Sequence, residues 1–176
     1  MSQVPPTLTF HVSVPSKASP EAIYDVLSDL NTHLVWTGER APRRNSRLLT
    51  MEAPSRSATV GERFSSDGEN GNGTFHDRSI VVEADRGVRF GFDTESTLER
   101  KHGKEWQARF ATRYAIEPSD DGSVVSFTSE VRPQNYVPWW LKPGIRSMTR
   151  VMVQRMTRKH MENLADMALA AHQRRG

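Results

Sequence analysis

His160 and Tyr114 are the two side chains best placed by the sequence pattern to move a proton or anchor a polar ligand atom. His160 falls between Met156 and Leu164 at helical spacing, so its imidazole is expected on an apolar helix face that also carries Thr149 and Asn163. There it would act either as a ligand anchor or general base tuned by burial, or as a core histidine hydrogen-bonded to a neighbouring element. Tyr114 belongs to an alternating run in which Trp106, Phe110, Thr112 and Tyr114 share one side, and Phe127 and Ser129 share one side of the next run. A buried phenol normally finds a hydrogen-bond partner, which makes Tyr114 the candidate donor. The expected ligand-binding set is Trp106, Phe110, Thr112, Tyr114, Phe127, Ser129, Met148, Met152, Met156, His160 and Asn163, with His160 and Tyr114 as candidate catalytic residues. An apolar surface with a few polar groups describes a small-molecule site, and equally a solid core whose hydroxyls bond to backbone.

His76 and Arg78 stand two apart on a β-type run and point one way, expected to be solvent, while Asp77 points the other. The six histidines are scattered, with no pair at the four-residue spacing of a helical zinc motif, and cysteine is absent, so no metal site is expected. Nor is there a nucleophile elbow, and the Gly- and Asn-rich stretch 65–74 lacks phosphate-loop spacing and reads as a hairpin tip. No cofactor is implied. The charge of +3 from 24 basic and 21 acidic residues is matched by the local excess in Glu39–Arg47. That cluster has no interleaved aromatics, which argues for a solvated loop and against nucleic acid as a partner.

The elements that would position these groups follow in order. Thr7 to Val14 alternates as a half-buried strand ended by Pro15. Ser19-Pro20-Glu21 then opens a helix with Ala22, Ile23, Val26, Leu27 and Leu30 as its apolar stripe, and Asn31 to Trp36 reads as a short second helix or turn. Six strands are predicted at 47–52, 60–66, 75–84, 88–95, 105–117 and 123–132, joined by Gly-containing hairpin signals including Asp67-Gly68, Asn70-Gly71, Asn72-Gly73, Arg86-Gly87, His102-Gly103 and Asp121-Gly122. The chain from Gly144 to about His172 reads as one long helix. Its expected inner face is Ile145, Met148, Met152, Val153, Met156, His160, Leu164, Met167 and Ala171, with Arg155, Arg158, Lys159, Glu162 and Asp166 opposite. Five of the seven methionines lie in this segment, suggesting an adaptable surface that repacks around a partner. The predicted fold is α+β: a seven-stranded curved antiparallel sheet wrapped around the C-terminal helix, with two short helices after the first strand. A chain of 176 residues suits a single domain, 1–176.

Three motifs carry a resemblance. Ala18-Ser19-Pro20-Glu21-Ala22-Ile23-Tyr24-Asp25-Val26-Leu27-Ser28-Asp29-Leu30 followed by Trp36, then Val60-Gly61-Glu62-Arg63-Phe64, then Met161-Glu162-Asn163-Leu164-Ala165-Asp166-Met167-Ala168 resemble the START-like, Bet v 1-like (SRPBCC) superfamily, and within it the polyketide cyclase/dehydrase and lipid-transport group. The resemblance spans nearly the whole chain and implies a helix-grip fold. Two stretches depart from the family's pattern: the Arg-rich 39–47 loop, and Tyr136-Val137-Pro138-Trp139-Trp140 before the last helix.

The expected function is binding of a hydrophobic or amphipathic small molecule, such as a lipid, polyketide-like or aromatic compound, between the sheet and the last helix. Two alternatives stand beside it: a polyketide cyclase or dehydratase using acid and base residues in the pocket, and a lipid-transfer or protein-interaction module using the Trp-rich segment. In the last case Trp139 and Trp140, with Lys142 and Arg146 nearby, would touch a membrane transiently; the competing reading is that these aromatics dock the start of the helix. The N-terminal residues lack signal-peptide character, and a cytoplasmic location is expected.

Overall fold

The computed structural model describes residues 7–40, 46–138 and 144–174. Strand β1 (Leu8–Ser16) leads into α1 (Pro20–Ser28), a 3₁₀ turn (Leu30–Thr32) and a π-helical turn (Leu34–Glu39). Six strands follow, β2 (Arg47–Glu52), β3 (Arg63–Asn70), β4 (Gly73–Asp85), β5 (Arg89–Arg100), β6 (Trp106–Ser119) and β7 (Gly122–Pro133), and then α2 (Arg146–Gln173). The sheet is antiparallel throughout, in the order β1-β7-β6-β5-β4-β3-β2. Since β1 and β2 lie at opposite edges, the chain between them must cross the sheet, and α1 with its two following turns makes that crossing.

Local chemistry explains the crossing. The Ser19 hydroxyl accepts from the Ala22 N–H at 3.3 Å, and Pro20 occupies the first turn, where its missing N–H removes no bond. Ile23, Val26 and Leu27 then face the core. His33 is buried and its Nε2–H donates to the Leu27 carbonyl at 2.9 Å, with Trp36 packed on the ring at 4.6 Å between centroids. Burial pushes the His33 pKa down to about 4, so the ring is neutral at physiological pH.

Two sequence expectations need correction in the strands. Pro15 lies within β1, paired with Val124, because an edge strand tolerates a residue that cannot donate. Asp67-Gly68 and Asn70 lie within β3, so the expected loop 65–74 shrinks to a tight turn between Asn70 and Gly73. Gly68 is needed for packing: a Cβ there would collide with the Phe75 ring and the Arg47 carbonyl oxygen.

The inner face of α2 is rotated from the expected one. Met148 and Met152 are 69% and 65% exposed, and the buried line runs through Thr149, Thr157, Met161, Leu164, Ala165 and Ala168. The reason lies in what α2 meets. Its middle packs along the edge strand, where Gln154 Nε2–H donates to the His11 carbonyl at 3.1 Å and Arg158 to the Ser13 carbonyl at 3.2 Å. These bonds satisfy backbone groups that an open edge would leave unpaired. Farther along, Asn163 donates to the carbonyls of Trp36 at 3.1 Å and Arg40 at 3.3 Å, tying α2 to the π-helical turn. Leu164, Met161 and Ala168 join Leu27, Leu30, Trp36 and Phe90 in the main core cluster.

Before α2, Tyr136 and Val137 pack on the smaller core cluster of Leu8, Phe10, Leu98, Trp106, Ala108 and Val131. The Tyr136 hydroxyl donates to the Lys104 carbonyl at 3.1 Å and accepts from Arg100 at 3.2 Å. The membrane expectation for Trp139 and Trp140, with Lys142, falls outside the described residues, as does most of the Arg-rich loop (41–45). Of that loop's cations, Arg47 pairs with Glu69. No helix among the described residues is long and apolar enough to cross a membrane.

Candidate functional site

Strand alternation divides the sheet chemically. One face of β3 to β6 presents Phe64, Ser66, Phe75, Asp77, Ser79, Phe90, Phe92, Thr94, Ser96, Leu98, Trp106, Phe110, Thr112 and Tyr114, in register across the ladder. The opposite, convex face presents charges. There a broad groove of ≈ 1130 Å³ carries Arg109–Glu95, Arg113–Asp93 and Arg132–Glu130 ion pairs at 2.7, 2.7 and 2.9 Å. Exposed pairs of this kind neutralise one another and contribute little stability, and they line most of the groove with charge that is already paired. His76 and Arg78 lie on this outer face as exposed residues, and His76 Nδ1 bonds Asp67 at 2.6 Å. That bond raises the pKa of His76 and lowers that of Asp67.

The concave face holds the better site, a pocket of ≈ 240 Å³ lined by Ser46, Asn70, Phe75, Asp77, Phe92, Thr94, Ser96, Leu98, Trp106, Phe110 and Thr112. Four aromatic rings surround a short polar strip. Ser79 and Thr94 hydroxyls share a hydrogen bond of 2.8 Å. Asp77 sits between Ser66 and Ser96 in the strand register, and Ser96 hydrogen-bonds its carboxyl while Oδ1 is sealed without a partner. Burial pushes the Asp77 pKa up to about 6, against the lowering effect of the Ser96 bond. A carboxyl so held changes charge close to neutral pH, which gives the pocket an acid–base group.

Of the residues expected from sequence, Trp106, Phe110 and Thr112 line this pocket. Tyr114, Phe127 and Ser129 lie beyond its lining: Tyr114 is in the main core, 5.4 Å from the Phe127 ring, and Ser129 is buried opposite Thr112. Burial raises the Tyr114 pKa. His160, Met156 and Asn163 on α2 are likewise outside the lining. Met156 accepts from the Ser46 N–H through its sulfur at 3.4 Å, and Asn163 serves the two backbone carbonyls described above. The His160 Nε2 is sealed without a partner, and burial lowers the ring's pKa to about 4. Met148 and Met152 are exposed.

Ser46, Asn70, Phe75, Asp77, Phe92, Thr94, Ser96 and Leu98 line the pocket without belonging to the set expected from sequence. A signal for Asp77 was present, because an outward His76 and Arg78 oblige the residue between them to point inward. Ser96 lies one residue beyond the strand predicted over 88–95, whereas β5 continues to Arg100.

The same architecture occurs in solved structures. The Mll3558 protein from Rhizobium loti is 16% identical with a TM-score of 0.65, covering 92% of this chain and 97% of that one. An uncharacterized protein from Rhizobium leguminosarum is 14% identical with a TM-score of 0.66, over 94% and 96% of the two chains. Ara h 8.0201 is 12% identical with a TM-score of 0.59, over 94% and 99%. At these identities the likeness establishes the Bet v 1-like helix-grip fold. No curated protein sequence matches the chain. A family model described as polyketide cyclase / dehydrase and lipid transport matches residues 7–168, and the chain belongs to that family.

Proposed function

We propose that the protein binds a hydrophobic or amphipathic small molecule on the concave face of its sheet, in the pocket between Phe75, Phe92, Trp106 and Phe110. The observation that carries this reading is the lining itself: four aromatic rings around Asp77, Thr94, Ser96 and Thr112, a mostly apolar hollow with a few convergent polar groups. Membership of a family described by cyclase, dehydrase and lipid-transport activities agrees with it. The neutral fused-ring alcohol 1-naphthalenemethanol is the test probe. Titration is expected to quench fluorescence from Trp106 saturably, with a Kd on the order of 10–100 μM for a ligand this small. Ser96→Phe, which fills the hollow, should weaken binding by about tenfold or more while the protein stays folded. Equal binding by wild type and Ser96→Phe would mean that the probe sits elsewhere.

Acid–base catalysis is a second reading, favoured by Asp77 alone, since its carboxyl faces the pocket and titrates near neutrality. In this reading Asp77 takes the role that the sequence offered to His160 and Tyr114. Proton exchange at the methyl group of 2-acetylnaphthalene in D₂O, followed by NMR, is expected to be accelerated by wild type and not by Asp77→Asn. An uncatalysed rate in wild type would remove the enzymatic reading.

A further inference from the structure

We infer that the concave-face pocket selects organic cations, with the Asp77 carboxylate as counter-charge and the surrounding aromatic rings as the surface on which an ammonium group rests. This rests on the pocket being the ligand site, and it names the class of ligand.

The inference comes from what the lining contains and omits. Among the described residues that line the pocket, Asp77 is the one acidic group, and no Lys, Arg or His accompanies it. The nearest cations by sequence, His76 and Arg78, project from the other face of β4, and His76 is already engaged by Asp67. Serines at the register positions on either side, Ser66 and Ser96, can each donate one hydrogen bond, and Oδ1 still has no partner. A carboxylate held away from water without a counter-charge is a destabilised group. A bound cation removes that deficit; a neutral molecule removes part of it, and an anion worsens it.

The rings supply the second half. Phe75, Phe92, Trp106 and Phe110 all occupy inward positions, and Trp106 meets Phe110 edge to face with centroids 6.4 Å apart. Aromatic faces attract ammonium groups through their quadrupole, most strongly where water is excluded. An aromatic enclosure around one uncompensated carboxylate therefore matches an amine with an apolar body better than it matches a fatty acid or a phosphate ester.

Three probes of one shape and different charge test this in the full-length protein at pH 8: 1-naphthylmethylammonium, 1-naphthalenemethanol and 1-naphthoate. Calorimetric titration is expected to give the ammonium probe an affinity about tenfold or more above the alcohol, with the carboxylate weakest. Asp77→Asn should bring the ammonium and alcohol probes to within about twofold of each other. An alcohol that binds as tightly as the ammonium, or a cation preference that survives Asp77→Asn, would overturn the inference and leave the ligand pocket standing. If none of the three binds, both fall.

Discussion

Asp77→Asn is expected to stabilise the protein by about 2–3 kcal/mol at pH 8 and to leave it nearly unchanged at pH 4. Burial raises the Asp77 pKa to about 6 in the folded chain, whereas an unfolded Asp titrates near its ordinary value of about 3.9. Between those two values the folded state binds more protons than the unfolded state, so the group makes stability fall as pH rises through about 4 to 6. Below that window both states are protonated and the group is neutral in its effect. Above it the full penalty applies, and a gap of about two pKa units corresponds to about 3 kcal/mol. Asparagine keeps the shape without acquiring the charge. Urea unfolding of both proteins at pH 4, 6 and 8 checks the prediction; a variant that is less stable at pH 8 would show that the carboxylate is well solvated or paired. A residue that weakens its own fold at working pH is the kind retained at a binding or catalytic site.

The second large effect concerns how α2 is held. Leu164→Ala is expected to cost about 3 kcal/mol, because Leu164 is fully buried in the main core beside Met161 and Ala168. Met152→Ala, at a residue 65% exposed, should change stability by no more than about 0.5 kcal/mol. The helical wheel places both residues on one apolar face, so the pair separates the observed seating of the helix from the one periodicity implies. Urea midpoints at constant m-value give the answer. Comparable losses in the two variants would mean that α2 is seated on its methionine face.

The particular errors explain which parts of this fold sequence makes legible. β1 and β6 alternate cleanly because each has one face on the core and one in water, and their side chains could be assigned from pattern alone. The seated face of α2 differs from its apolar stripe because the first half is seated with threonines, Thr149 and Thr157, and against the polar bonds of Gln154 and Arg158 to an edge strand. Counting apolar residues rewards methionines and passes over such positions. Asp67-Gly68 has the chemistry of a turn, whereas Gly68 in β3 leaves room for the Phe75 ring, a distinction set by a neighbouring strand. The parity of β4 turns Asp77 inward once His76 and Arg78 face solvent, but hydropathy alone sends aspartate outward, so the pattern does not mark it as a pocket residue. The family, by contrast, is recognisable from motifs that build the crossing after β1, the entry to β3 and the core half of α2.

The most direct measurement is a crystal structure of the wild-type protein saturated with 1-naphthalenemethanol. The naphthalene ring is predicted to lie among Phe75, Phe92, Trp106 and Phe110, with the alcohol oxygen toward Asp77 and Ser96. An empty pocket at saturating probe, or density only in the charged groove on the convex face, would contradict the account.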